Sequence, residues 1–164
     1  MASPHGNITN TVVNILPFEC ENLYSHYPDE MKLIKYYNSG YQSVIKLIED
    51  TNFDINKPQF HNVFITNLRS NEAHVFEDGA WTTQNQDETV ERLFSDKSLF
   101  LTENFKEAAN RLNSSVVNKF SKFKDETDPD TLKRLKHDIK MMLYDKRKIP
   151  QATRIAYEKS LKNK

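Results

Sequence analysis

Residues 58–81 read PQFHNVFITNLRSNEAHVFEDGAW, and this segment predicts a small antiparallel β-meander. Residues 62–66 and 72–77 are rich in β-branched and aromatic side chains, which is typical of strands. Asp78-Gly79 is a strong tight-turn signal, because glycine adopts the positive φ of such a turn at no steric cost. A short third strand is expected over residues 80–83.

The sequence on both sides of this meander has the apolar spacing of amphipathic helices. Upstream, two helical patterns lie within residues 28–50, with Asp29 and Glu30 after Pro28 as a start signal and Ser39-Gly40 as a break or a kink between them. Earlier still, residues 11–16 are β-branched and end at Pro17, which predicts another short strand.

Downstream of the meander, the pattern predicts helices almost to the end of the chain. The first opens at Asp87 and is either continuous or broken at residues 95–98, and Ser114 or Ser115 caps the next. Asp128-Pro129 marks the start of a third helix that Pro150 stops. Residues 151–161 form one more short helix.

These patterns predict an α+β domain over residues 11–164, preceded by a flexible tether at residues 1–10. A small antiparallel β-meander packs against five or six α-helices, and the C-terminal half is rich in helix. The 164 residues include only three glycines and six prolines, which disfavours a fold with many tight turns.

Composition restricts the chemistry of the chain. A single cysteine, Cys20, excludes an intramolecular disulfide and a cysteine-rich zinc site. No apolar window reaches the length of a membrane span, and no signal peptide is recognisable. We therefore expect a soluble intracellular protein with no cofactor, no membrane partner and no evident small-molecule substrate.

The formal net charge of zero conceals an asymmetry along the chain. From Lys133 to the end, eleven Lys and Arg residues face three acidic ones, a net charge of +8, and the preceding residues carry −8. Three interpretations stay open: a basic face for phosphates, two complementary surfaces that meet in an oligomer, or simply a basic terminal helix.

His61, Asn62, Asn67 and His74 lie around the predicted hairpin. Histidine and asparagine beside a hairpin that feeds a helix are found in metal nucleases, which would predict metal-dependent cutting that is lost in His61→Ala. No second cluster of ligands accompanies them, so backbone hydrogen bonding around the turn is the favoured role. The sequence predicts no enzyme, no catalytic residue and no metal site.

Trp81, the sole tryptophan, follows Gly79 after the tight turn. A base or a cofactor could stack on its ring, but a lone tryptophan near a hairpin more often anchors the hairpin to a helix. We expect His61, Asn62, Asn67, Gly79 and Trp81 to act together as a structural motif.

Basic residues recur on one face of the third downstream helix, which would suit a salt-dependent contact with a phosphate backbone. A solvated helix face is the alternative, because no recognition-helix or aromatic ribonucleoprotein motif is present. The tentative nucleic-acid-binding residues are Lys133, Arg134, Lys136, Lys140, Lys146, Arg147 and Lys148.

Four segments of the sequence resemble, in order, a domain abundant in proteins of giant DNA viruses of the mimivirus kind. Residues 17–23 resemble its entry segment, 56–67 its most characteristic motif, 76–81 the turn and tryptophan that follow, and 139–148 its closing helix. In that group the domain often follows a zinc finger and a coiled coil, which implies nucleic-acid contact or oligomerisation. This chain has neither the paired cysteines nor the heptads.

The resemblance implies a viral origin and no catalytic residue. The leading expectation is a non-enzymatic viral interaction or assembly module that self-associates as a homo-oligomer. The alternative is a nucleic-acid-binding accessory protein that uses its basic C-terminal helices. Either would act in the host cytoplasm, in the viral factory, and the assembly module could also be packaged in the virion.

Overall fold

The computed structural model describes residues 14–19, 21–27 and 30–163. The tether at 1–10, residues 11–13 of the first predicted strand, Cys20 and the helix-start signal at Pro28-Asp29 lie outside them. The helices of the described part are α1 (Leu23–His26), α2 (Ile34–Tyr37), α3 (Ser43–Asn52), α4 (Gln86–Ala108), α5 (Ser114–Glu126), α6 (Pro129–Asp145) and α7 (Lys148–Lys162), and its strands are β1 (Val63–Phe64), β2 (Glu72–Glu77) and β3 (Ala80–Asn85).

The three strands form one antiparallel meander in the order β1-β2-β3. Val63 pairs with Val75 across β1 and β2, and Phe76 pairs with Trp81 across β2 and β3. The turn between β2 and β3 places Asp78 at φ 50° and Gly79 at φ 79°, both left-handed. The predicted tight turn is confirmed, and so is the α+β class with a helix-rich C-terminal half.

The strand limits differ from the prediction. β1 covers only two of residues 62–66, because the backbone N–H of Ile65 leaves the ladder and donates to the Leu143 carbonyl of α6 at 3.1 Å. β3 runs two residues further than predicted, to Asn85, because it pairs with β2 along its whole length.

Residues 14–16 are not a strand, so that part of the prediction for residues 11–16 is wrong. The backbone N–H of Leu16 donates to Gln59 and that of Phe18 donates to Phe76, each at 2.8 Å. Isolated bonds to two different segments build no ladder, although they do fasten this entry segment to the body of the protein.

The core lies between the sheet and the long helices. α4 crosses its centre with Leu93 and Leu101 fully buried, while Ile139 of α6 and Phe120 of α5 close it from the C-terminal side. These residues fall at the apolar positions that the helical spacing predicts. One continuous cluster of buried side chains runs from Phe18 to Leu143.

The helix limits settle whether α4 is continuous, and they correct the predicted cap of α5 and the predicted stop at Pro150. α4 continues through residues 95–98, where Lys97 is fully buried among its neighbours. The cap of α5 is Asn113, whose side chain accepts from Val116 N, rather than Ser114 or Ser115. Pro150 does not stop α6: it lies within the first turn of α7, where a proline costs no intrahelical hydrogen bond.

Candidate interaction surfaces

His61 fastens the start of the meander to the last helix. Its Nε2 lies 2.6 Å from the Asp54 carbonyl, which can only accept, so Nε2 carries the proton. Its Nδ1 lies 2.6 Å from the Thr153 hydroxyl of α7, which therefore donates to the ring. Burial lowers the pKa of His61, in agreement with a neutral ring. The lone pair that a metal would need already accepts a hydrogen bond.

His74 is held in the same way on β2. Arg154 of α7 donates to Nδ1 at 3.3 Å, and Nε2 lies 3.2 Å from the Thr66 hydroxyl. Burial lowers the pKa of His74, and the nearby charge of Arg154 lowers it further. Both histidines thus serve as cross-links, and the geometry does not favour the metal-nuclease interpretation of the sequence.

Trp81 completes the attachment of α7 to the sheet. Its ring packs against Phe76 with centroids 5.6 Å apart, and the Arg154 guanidinium lies over it at 5.3 Å. Tyr157 of α7 donates to the Gly79 carbonyl at 3.2 Å, so the tight turn also contacts this helix. Trp81 is therefore placed where an anchor of hairpin to helix belongs.

Asn62 belongs to a buried polar network beneath the entry segment. Its Nδ2 donates to the Leu16 carbonyl at 3.1 Å and to Glu21 Oε1 at 2.9 Å. The Glu21 carboxylate and the Lys97 ammonium have no exposed side-chain surface and lie 3.7 Å apart. Asn52 of α3 joins the network and donates from Nδ2 to Asn62 Oδ1 at 3.1 Å. The network holds four segments together and leaves no opening to solvent at these two charges.

Asn67 organises the loop between β1 and β2. Its Oδ1 accepts from the Arg69 N–H at 2.9 Å, which closes a side-chain turn. Its carbonyl accepts from the Gln86 side chain at 2.7 Å, and that side chain also donates to Glu72. The predicted motif residues therefore hold the meander against α4 and α7.

Part of the predicted basic face is neutralised within the chain. Lys136 and Lys140 of α6 form ion pairs with Glu91 and with Asp87 of α4, the second at 3.5 Å. A groove of about 460 Å³ separates the two helices at this point, and charges of both signs line it. These two lysines therefore lie beside carboxylates rather than open to phosphate.

The other predicted basic residues are dispersed. Lys146 pairs with Glu49 of α3 at 3.0 Å, and Arg147 donates to the Tyr144 carbonyl while its guanidinium lies 4.1 Å from the Tyr144 ring centroid. The remaining three are exposed: Lys133 and Arg134 on α6 and Lys148 at the start of α7.

The outward face of α7 also carries unpaired positive charge. Only Pro150 and Thr153 of its fifteen residues are buried. On the opposite side, three lysines and an isoleucine recur at seven, four and three residues, which puts them on one stripe of the helix. We call this the lysine stripe: Lys148, Ile155, Lys159 and Lys162. Ile155 is 55% exposed, and none of the three lysines forms an ion pair with a residue that the structure describes.

A face of opposite charge lies on α4. Asp96, Leu99, Glu103 and Glu107 recur there at three, four and four residues, and Tyr24 of α1 lies beside them; we call these five residues the acidic face. The Tyr24 hydroxyl donates to Glu103 at 3.0 Å, and this hydrogen bond, with some burial, raises the pKa of Tyr24. Most of this face borders a hollow of about 220 Å³ whose floor includes Leu23 and Phe100.

Sequence reasoning missed both surfaces, apart from Lys148. The sequence predicts one more short helix over residues 151–161, and Ile155, Lys159 and, just beyond it, Lys162 recur there at helical spacing. Leu99 directly follows the interruption expected at residues 95–98. The exposure of Leu99 and Ile155 depends on which side of each helix meets the core, and a single sequence does not show this.

The described residues contain neither a ready metal site nor a helix suited to span a bilayer. No group of three or more His, Cys, Asp or Glu side chains there is arranged to hold a metal ion. No helix in that part of the chain is long and apolar enough to cross a bilayer. No family model, curated protein or solved structure matches this chain.

Proposed function

We propose that the chain is a non-enzymatic viral interaction and assembly module that self-associates through the lysine stripe of α7. The observation that carries this proposal is a large apolar side chain, Ile155, exposed among three unpaired lysines on a helix that is fixed to the body by its other face. The viral setting, in the host cytoplasm and in the particle, rests on the resemblance of residues 56–67 and 139–148.

The attachment of α7 supports a role in binding. Thr153, Arg154 and Tyr157 connect the helix to three separate points on the meander: His61, His74 and Gly79. A helix fixed in this way presents its outer side chains in one arrangement, which lowers the entropy cost of association. The stripe is therefore pre-organised for a partner.

Gel filtration coupled to light scattering tests the proposal. We expect the mass of the wild-type protein to rise with concentration above that of one chain, and we expect Ile155→Ser to remain a monomer. Ile55→Ser is the matched control, because Ile55 is an even more exposed isoleucine, at 75%, outside α7. A wild-type protein that is monomeric at every concentration would contradict the proposal.

A nucleic acid is the second candidate partner, favoured by the three unpaired lysines of the stripe together with exposed Lys133 and Arg134. Such binding would weaken steeply with salt, because each phosphate contact releases counterions. Ile155 at the centre of the stripe favours a protein partner, since an exposed aliphatic side chain gains little from a phosphate backbone. A mixed-sequence DNA duplex added to the same experiment at two salt concentrations separates the candidates: a monomer that shifts only with DNA supports the second.

A further inference from the structure

We infer that the acidic face of α4 is the docking site for the lysine stripe of a second copy, so that the chain associates head to tail. This inference rests on the proposed self-association and names the surface that receives α7. Two different surfaces on each copy then meet, and in a pair, one copy keeps a free stripe and the other a free acidic face, so that further copies add until a ring closes or a row forms.

The acidic face has the shape of a receptor for a side chain. Of the six large apolar side chains that are most exposed among the described residues, Tyr24 and Leu99 border the same hollow, at 54% and 59% exposure. Phe100 lies on the floor of the hollow, with its ring 5.1 Å from that of Tyr24. An aliphatic side chain such as Ile155 would bury apolar surface there on both partners.

Charge favours a contact between the lysine stripe and the acidic face over a contact between two lysine stripes. The acidic face carries Glu103 and Glu107 together with Asp96, which is paired with the buried Lys97 at 2.8 Å, and two exposed basic residues flank it, Lys106 on α4 and Arg111 just beyond. Two copies that paired stripe to stripe would bring lysines together and repel each other. Opposite potentials on two surfaces of one chain favour the head-to-tail contact instead.

The spacing of side chains on the acidic face also matches that on the lysine stripe. Glu103 follows the exposed Leu99 by four residues, and Lys159 follows the exposed Ile155 by four residues. Each step corresponds to about 6 Å along a helix. When the two helices run parallel, Ile155 can therefore contact Leu99 while Lys159 contacts Glu103. Glu107 and Lys162 then follow at about 12 and 10 Å from the apolar pair.

Charge reversal on each surface tests the inference. One variant carries Lys159→Glu with Lys162→Glu, and the other carries Glu103→Lys with Glu107→Lys. We expect each variant alone to be monomeric, because both of its surfaces then have the same sign. An equimolar mixture should regain the wild-type mass, since each variant then offers the complement of the other. Asp125→Lys with Glu126→Lys, an exposed acidic pair on α5, should associate like the wild type.

Failure of the inference differs from failure of the proposed function. If the α7 variant is monomeric while the α4 variant associates like the wild type, self-association through α7 stands and the acidic face is not its receptor. If the mixture fails to associate although the wild type does so, the head-to-tail pairing is wrong. If the wild type is a monomer, or shifts only with DNA, both proposals are overturned.

Discussion

At the scale of single residues, the two neutral histidines of the meander make the attachment of α7 sensitive to pH. His61 and His74 each donate from Nε2 and accept at Nδ1, and their partners on α7 are Thr153 and Arg154. Protonation would add a hydrogen where each ring now accepts one. The hydrogen bond from Arg154 to His74 would then be lost, and the Thr153 hydroxyl would have to accept from His61 instead of donating to it.

The resulting pH dependence has a definite sign. The pKa of His61 is lowered by burial, so the unfolded chain binds more protons than the folded one once the pH falls to about 6.5. The free energy of unfolding should therefore be largest above that pH and should fall as the pH is lowered towards about 5. Urea unfolding of the wild type and of His61→Gln over this pH range measures the dependence of the free energy of unfolding on pH. His61→Gln should show a shallower decline, and an identical decline would contradict this account.

Asn52 is the donor at the centre of the buried polar network. Its Nδ2 lies 3.1 Å from the Phe60 carbonyl and 3.3 Å from Glu21 Oε1, in addition to Asn62. Asn52→Ala leaves these buried acceptors short of a donor, so we expect the free energy of unfolding to fall by about 2–4 kcal/mol. Chemical denaturation measures the loss. Asn118→Ala, an exposed asparagine on α5, should change stability by less than about 0.5 kcal/mol.

At the scale of secondary-structure elements, side-chain caps set where the helices start. Asn85, Asn113 and Asp128 each accept a hydrogen bond from a backbone N–H three residues ahead, at the starts of α4, α5 and α6. Asparagine and aspartate are among the strongest capping residues. The meander therefore passes directly into α4 through Asn85, the last residue of β3.

The cap of α5 gives a direct test of the corrected helix limit. Replacing Asn113 with alanine removes the acceptor for Val116 N, so we expect a loss of about 1 kcal/mol in the free energy of unfolding. Ser114→Ala and Ser115→Ala lie inside the helix on its exposed side and should change stability by less than about 0.5 kcal/mol. Equal losses in all three variants would mean that α5 starts later than the structure shows.

At the scale of the whole molecule, the charge asymmetry along the chain is partly compensated by folding. Ion pairs from Lys136, Lys140 and Lys146 to α3 and α4 bring the basic C-terminal part against acidic residues of the preceding part. The positive charge that remains unpaired in this part of the chain includes the three lysines of the stripe and, on α6, Lys133 and Arg134. A contact with a partner should therefore depend on the stripe more than on the predicted face of α6.

Two double variants separate these roles. Lys136→Glu with Lys140→Glu replaces two part-exposed ion pairs with like-charge contacts, so we expect a stability loss of about 1–2 kcal/mol and unchanged self-association. Lys159→Glu with Lys162→Glu breaks no ion pair, so we expect near-native stability and a monomer. Thermal unfolding and light scattering on both variants provide the measurements. If the α6 variant lost self-association and the α7 variant kept it, the α6 face would be the contact surface, as the sequence predicts.

Features that depend on interactions between neighbouring residues were predicted correctly, whereas features that depend on contacts between distant segments were not. The β2–β3 turn, the apolar faces of the helices and the start of α6 at Asp128 depend on neighbours a few residues away, and the sequence predicted them. β1 was predicted too long because Ile65 N bonds to Leu143, which is far away in the chain. The basic face was predicted as one surface because the carboxylates that divide it, Glu91 and Asp87, come from another helix.

The amino-acid sequence thus determines the local conformations of this protein: its α+β class, the antiparallel meander, and the apolar spacing of the long helices. Periodicity, turn chemistry and capping are properties of short segments, and they need no knowledge of the partner segment. Tertiary packing decides which lysines are paired, which ring nitrogens are occupied, and that Leu99 and Ile155 face outward. These depend on how α4, α6 and α7 are placed around one core, and long-range contacts alone fix that placement.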